Sequence, residues 1–370
     1  MDVGALIALT TSLVVGVTAG FFMHRSDFCL AGAFRDAFLF RSTKMLRVLV
    51  LLVVVSAVLF EAARILGWLP YYPFPNFYQP SLANLIGGML FGIGMVLAGG
   101  CVVGVLYKMG GGSVLAGIAL LGLFVGSALY AEVHPWWASL GKATRLHDQA
   151  VTLPQLTGTH PLWWVAALLL IGGGLCWRWR RDWDLSGKTS AEGYVAPWIT
   201  ALVLAVLGLL SVLGTAMPMG VTSPYAKVAA FLEQLVFPEH VASLKFFTAQ
   251  PIRFRLPFGS EEMVGGAGPV FDVMALTQGT LVVAIILGAL LSALLLGEFR
   301  PRWQLPRHQV LMVFAGGIIM ALGSRMTPGC NVWHLLGGLP LFTMQSLLFV
   351  LGLLPGAWLG GKLLQRLVAA

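Results

Sequence analysis

GGMLFGIGMVLAGGC, residues 87–101, and GGIIMALGSRMTPGC, residues 316–330, open on the same glycine pair and close on the same Gly-Cys step. Counted back from each cysteine, glycine stands 14, 13, 7 and 1 residues earlier in both copies: Gly87, Gly88, Gly94 and Gly100 before Cys101, and Gly316, Gly317, Gly323 and Gly329 before Cys330. An apolar run that stops at a glycine turn and then resumes reads as a helix broken at membrane depth. Irregular backbone of that kind survives in hydrocarbon only where it lines a cavity. Glycine before the cysteine lets the chain turn sharply and brings its N–H groups close to a passing ligand.

Two fainter copies of the frame follow. In GVTAGFFMHRSDFC, residues 16–29, Gly16 stands 13 residues before Cys29, and Gly20 stands 9 before it, as Gly92 does before Cys101. In GLLSVLGTAMPMGV, residues 208–221, Gly208, Gly214 and Gly220 fall at 13, 7 and 1 before Val221, where the cysteine is missing. Glycine is common in membrane helices because small residues let helices approach closely. A shared phase ending three times at cysteine exceeds that background and reads as an internal repeat.

The composition places these turns in a bilayer. Of 370 residues 58% are hydrophobic and only 10% charged, with a mean hydropathy of +0.86, which excludes an ordinary soluble domain. About twenty apolar residues cross a membrane as a helix. Nine segments qualify: 3–22, 48–66, 82–100, 113–131, 163–177, 196–215, 281–297, 309–323 and 341–361. The first starts at Asp2 without a basic leader and reads as retained. Two longer connections, 131–162 and 222–280, are expected to lie outside. Of 23 Lys and Arg, eight (Arg64, Lys142, Arg145, Lys227, Lys245, Arg253, Arg255 and Arg325) fall on one side and the rest on the other. The positive-inside bias then sets the N-terminus outside and the C-terminus inside. WLPYYPFPNFYQP, residues 68–80, and the Trp pair at 136–137 resemble interfacial belts.

That topology gives the repeat a meaning. The first two cysteine turns follow inward-running helices, and the last two copies follow outward-running ones, so the halves read as inverted repeats, a signature of transporters. The expected organisation is a first half over 1–180 with the Cys29 and Cys101 turns and a cytoplasmic linker over 181–195. An inverted second half over 196–370 carries the Val221 and Cys330 turns and the outer loop 222–280.

The candidate chemistry is that of thiols. Cys29, Cys101, Cys176 and Cys330 form no C-x-x-C pair, so neither a dithiol redox motif nor a zinc site is legible. Cys176 lies outside the frame and reads as a packing residue. The other three share one setting, and a neutral thiol is a soft, polarisable partner for an exposed sulfur or selenium atom. Helix N-termini after the turns attract anions. Intramembrane charge is a functional suspect, and Arg325, just before Cys330, is the strongest; Arg25 and Arg35 are suspects too, but read as readily as markers of the cytoplasmic face or structural ion pairs. Asn331 and His334 could brace the turn or touch the ligand, with bracing favoured. Glu61 and Arg64 read as a mutual pair. No H-E-x-x-H or haem-spaced histidines occur, and SGKTS at 186–190 lacks the first glycine of a phosphate loop. No cofactor is expected, and nothing points to nucleic acid.

The stretches SDFCLAGAFRD, GMVLAGGCVVGVLYKMGGG and GSRMTPGCNVWHLLGG resemble those of the YeeE/YedE family of bacterial inner-membrane sulfur transporters, and the likeness runs through nearly the whole chain. The resemblance implies an hourglass of inverted halves. Cys29, Cys101 and Cys330 would contact thiosulfate through S–H···S bonds, and a small cytoplasmic sulfurtransferase-like protein would act as carrier. A related branch is linked to selenium. The reading that results is an all-α polytopic membrane protein with about nine transmembrane helices, broken re-entrant pieces and inverted repeats. It would be no enzyme but an inner-membrane importer of thiosulfate or a related sulfur species. Gly100, Gly329, Arg325, Asn331 and His334 would join the three cysteines in binding substrate. A selenium transporter and a membrane thiol oxidoreductase are the alternatives. Without a nucleotide motif or a string of carboxylates, facilitated passage drawn by consumption inside is the economical coupling.

Overall fold

The structure is a computed structural model and describes residues 3–69, 72–73, 77–182, 192–256, 262–301, 303 and 305–369. Part of the WLPYYPFPNFYQP stretch, and SGKTS with most of the 181–195 linker, lie outside the described residues. A chain without water around it must close its backbone hydrogen bonds within each segment, and the apolar runs accordingly wind into helices. These are α1 (Val3–Arg25), α2 (Leu30–Leu39), α3 (Lys44–Ile65), α4 (Leu82–Leu97), α5 (Val102–Gly110), α6 (Val114–Ala143), α7 (Leu153–Thr157) and α8 (Pro161–Trp179). There follow α9 (Pro197–Thr215), α10 (Ser223–Gln234), α11 (Pro238–Ser243), α12 (Val273–Leu296), α13 (Arg307–Met326), the three-residue α14 (Asn331–Trp333) and α15 (Met344–Ala369). A π turn, His334–Gly338, and a 3-10 turn, Leu339–Leu341, continue α14. A short antiparallel hairpin, β1 (Ile252–Arg255) with β2 (Glu262–Gly265), is the only sheet among the described residues. Nine helical stretches among these residues are long and apolar enough to cross a membrane, and the chain is an all-α polytopic membrane protein.

Two connections differ from expectation. Instead of stopping near 131, α6 runs to Ala143 through Pro135. Its 30 residues make a rod of about 45 Å, longer than the roughly 30 Å hydrocarbon layer. Glu132, His134 and Pro135 look like a helix end in sequence, yet a proline costs a helix one hydrogen bond and a kink rather than its continuation when neighbours support it. The 222–280 segment is also less of a loop than expected. It holds α10, α11, the hairpin and the first two turns of α12, which begins at Val273 because the Asp272 carboxylate accepts the Ala275 N–H at 2.9 Å.

The glycine frame explains how the long helices meet. α4 packs on α13 and α15, α13 on α4 and α6, and α1 on α12 and α9, so each of these contacts joins a helix before residue 180 to one after residue 196. α4 and α13 cross antiparallel on the glycines 14 and 7 residues before each cysteine. A Cβ on Gly94 would lie 2.3 Å from the Met320 nitrogen, one on Gly316 2.4 Å from the Ala98 nitrogen, and one on Gly323 2.5 Å from the Phe91 nitrogen. The glycines at 13 before close each helix on its other neighbour: Gly88 on the Phe349 carbonyl at 2.2 Å and Gly317 on the Ala119 carbonyl at 2.3 Å. Along α1, Gly16 and Gly20 meet α12 at Ala284 and Ile285 in the same manner. In lipid there is no hydrophobic drive between helices, so such backbone contact is what holds them together.

Candidate functional site

Each of the three frame cysteines is the residue that caps the helix after a break. Cys29 precedes α2 and Cys101 precedes α5; their sulfurs accept the Gly32 and Gly104 N–H groups at 3.4 Å and 3.3 Å. Cys330 precedes α14 in extended backbone, without a side-chain cap bond of its own. All three cysteines are buried. The Cys29 and Cys101 sulfurs flank one glycine: a Cβ on Gly104 would lie 3.4 Å from both. Cys176, in α8 against α3, stands apart from this group, in keeping with a packing role.

The turns are built by unusual backbone. Before Cys101 it is Gly99, not Gly100, that takes the left-handed conformation, φ +71°, and before Cys29 the same position, two residues back, is Asp27 at φ +44°. Gly329 does precede its cysteine directly at φ +128°, and a Cβ there would lie 2.5 Å from Trp333 Cδ1. The first two turns are tied together by the Tyr107 hydroxyl, which donates to Asp27 at 3.1 Å, while Lys108 Nζ donates to the Gly99 carbonyl at 2.6 Å. The Cys330 turn is held by Thr327 Oγ1 on the Asn84 carbonyl at 3.0 Å and by Gln345 Nε2 on the Pro328 carbonyl at 3.3 Å.

A cavity of about 520 Å³ opens where α4 and α12 begin and α6 and α13 end, and it reaches Gly220, Thr222, Arg325, Gly329, Cys330 and Trp333. Arg325 lines it. Its guanidinium donates to the Thr222 carbonyl and sits over the Phe246 ring at 5.9 Å, and among the described residues no carboxylate lies within ion-pair distance of it. The positive charge is therefore uncompensated at the cavity wall, as an anion site requires. Arg25 and Arg35 are otherwise engaged: Arg25 donates to Ser292 Oγ at 3.2 Å and to the Gly193 carbonyl at 2.6 Å, and Arg35 pairs with Asp36 at 2.9 Å on the surface. Glu61 and Arg64 form the expected pair, doubly bonded at 2.7 Å and 2.8 Å.

His334 and Asn331 divide the two roles expected of them. His334 braces: Nδ1 meets Ser346 Oγ at 2.8 Å and its ring stacks on Phe349 at 4.1 Å, while Nε2 has no hydrogen-bond partner. Asn331 is fully buried, and neither end of its amide has a partner. Two residues escaped the sequence reading, Tyr225 and Trp333, both buried with an unpartnered hydroxyl and indole N–H. Tyr225 lies within electrostatic reach of Cys330, Arg325 and Cys101. The sequence signal was there, since Tyr225 stands four residues after Val221, where the fourth frame ends.

With this geometry, comparison with known proteins is specific. The chain is 30% identical to the "Thiosulfate transporter TsuA" of Spirochaeta thermophila over 94% of its own length and 98% of that protein's. It is 25% identical to the Escherichia coli protein of the same name over 95% and 93%. The "Probable transporter YedE" of Escherichia coli shares 29% over 36% of the chain and 27% of its own length. A family model described as sulphur transport matches residues 25–359, from the first cysteine turn into the last long helix, and the chain belongs to that family, the YeeE/YedE family that its motifs resemble.

Proposed function

We propose that the chain imports thiosulfate, or a closely related sulfur anion, across the bacterial inner membrane along a path lined by Cys330, Cys101 and Cys29. The observation that carries this reading is that three broken helices each end at a buried thiol, with the Cys29 and Cys101 sulfurs both 3.4 Å from where a Cβ on Gly104 would stand. The names of the two full-length relatives agree with the substrate. Arg325 gathers the anion in the cavity. Gly329 and Gly100 give the chain room at the turns, Asn331 touches the ligand, and His334 steadies the turn that presents Cys330. A neutral thiol offers a soft contact to the terminal sulfur without repelling the charge of the ion, and successive thiols let the ion exchange one partner for the next. The inverted halves 1–180 and 196–370, with the linker 181–195, set one turn against its mirror image, with the N-terminus outside, the C-terminus inside and the cavity outward. A small sulfurtransferase-like carrier would receive the cargo inside.

The test is uptake of sulfur-labelled thiosulfate by cells lacking other sulfate and thiosulfate importers. Cys29→Ala, Cys101→Ala and Cys330→Ala should each abolish uptake at matched membrane levels, and Cys176→Ala should leave it intact. Uptake that survives all three changes ends the thiol path.

A further inference from the structure

Among the described residues seven buried side-chain atoms have no hydrogen-bond partner, and all but Ser56 Oγ belong to Tyr225, Arg325, Asn331, Trp333 and His334. Buried polar groups in folded proteins are almost always satisfied, so such a concentration beside one turn marks the place of a ligand. What these atoms are decides what the ligand is. The indole Nε1 of Trp333 and the guanidinium Nε of Arg325 can only donate, Asn331 Nδ2 donates, and the Tyr225 hydroxyl is free to donate. The single unambiguous acceptor is Asn331 Oδ1. His334 Nε2 is left out of the count because it donates or accepts according to the tautomer that the Ser346 contact at Nδ1 sets. A group that brings protons of its own, or a cation, would leave most of this set unmet.

The position of the set is equally informative. Arg325, Cys330 and Trp333 line the cavity, whereas Tyr225 and Asn331 are 2% and 0% exposed and are not part of its wall. Tyr225 stands in the first turn of α10, just after Thr222 and Ser223 of the cavity wall, so the donors continue beyond the wall itself.

We infer that Tyr225, Trp333 and Asn331 read the oxygens of a tetrahedral sulfur oxyanion while Cys330 holds its terminal soft atom, so that the site selects thiosulfate-like oxyanions against hydrosulfide or a persulfide. The inference rests on the transport reading for the path but not for the binding event. Sulfate, which offers oxygens without the soft atom, binds more weakly, and hydrosulfide, which offers the soft atom without oxygens, more weakly still.

The full-length protein purified in detergent allows both parts to be measured: equilibrium binding of labelled thiosulfate, its displacement by sulfite, sulfate and hydrosulfide, and the Tm without ligand. Loss of one hydrogen bond to a charged group weakens affinity by about tenfold to a hundredfold. Tyr225→Phe and Trp333→Phe should each do so. Because the Tyr225 hydroxyl is unmatched in the empty protein, Tyr225→Phe should leave that Tm unchanged or raise it. Unchanged affinity in Tyr225→Phe, a Tm lowered by several degrees, or hydrosulfide displacing thiosulfate as well as sulfite does would each overturn the inference, as would a wild type that binds no oxyanion. A wild type that binds thiosulfate but moves none in the uptake assay removes the transport reading and leaves the oxyanion site standing.

Discussion

Gly104 is the position at which the proposed thiol path can be narrowed without touching a thiol. It sits inside α5, buried, one turn after Cys101, and an added methyl would lie 3.4 Å from the sulfurs of both Cys29 and Cys101 and 4.0 Å from the Tyr107 ring. Those are contact distances, not clashes, so Gly104→Ala fits the empty protein. Alanine is preferred to glycine in a helix interior by about 0.5–1 kcal/mol, and the variant should be at least as stable as the wild type. The loaded state differs, because an ion touching both sulfurs needs the space the methyl fills. Forcing an extra methyl into a tight contact costs about 1–3 kcal/mol, and each 1.36 kcal/mol on a barrier is tenfold in rate. Uptake of labelled thiosulfate should therefore fall about fivefold to a hundredfold in Gly104→Ala, at undiminished membrane levels and Tm, and be lost in Gly104→Val. Wild-type uptake in Gly104→Val would refute the reasoning, since the ion would then not pass between those two sulfurs.

Other positions carry different expectations. Gly323→Ala places its Cβ 2.5 Å from the Phe91 nitrogen and 2.7 Å from the Gly87 carbonyl. Backbone cannot swing aside, so a loss of about 3 kcal/mol or more should appear as a collapse of the monodisperse peak of solubilised protein; a normal peak and Tm would contradict the packing. At the cavity end of α6, His240 contacts Glu132 at 2.6 Å and Glu233 at 3.4 Å. The hydrogen bond to Glu132, aided by both carboxylates, holds the imidazole pKa above its ordinary 6.5. A raised folded-state value makes this contact stabilising below about pH 6.5, the unfolded value, and the contribution fades as pH climbs through the raised value. Hydrogen exchange across Pro238–Ser243, corrected for intrinsic rates, should be faster at pH 8.5 than at pH 5.5, and His240→Gln should abolish that difference.

The membrane architecture was legible because hydropathy and length act locally. Every expected span is matched by a helix, and the largest errors fall where an end is decided by a cap or a tolerated proline, at Asp272 and Pro135. The glycine frame was legible as a repeat but not as a function. Its outer positions, which read as part of a ligand-bearing turn, are where α4 and α13 touch, a fact that only tertiary placement supplies. The left-handed residue before Cys101 is one position earlier than the glycine singled out, and at the first turn an aspartate fills it. Tyr225 and Trp333 were missed because their significance is an unmet hydrogen bond, a property of what surrounds a side chain and invisible in its name. For the same reason His334 and Asn331, three residues apart, could not be told apart until Ser346 was seen beside one and nothing beside the other.

The crossing of α4 and α13 bears on how cargo can move at all. A carrier that alternates by rocking one bundle against another must let its central helices slip past each other by several ångströms. Here that contact is backbone on backbone at four glycines, with no lubricating layer of side chains and not enough slack for one methyl group. The two helices behave as a single welded spine. Whatever opens and shuts along the route is left to the parts hung from that spine: the thiols, the glycine turns and the rings beside them, whose rotations take far less time than a swing of half the molecule.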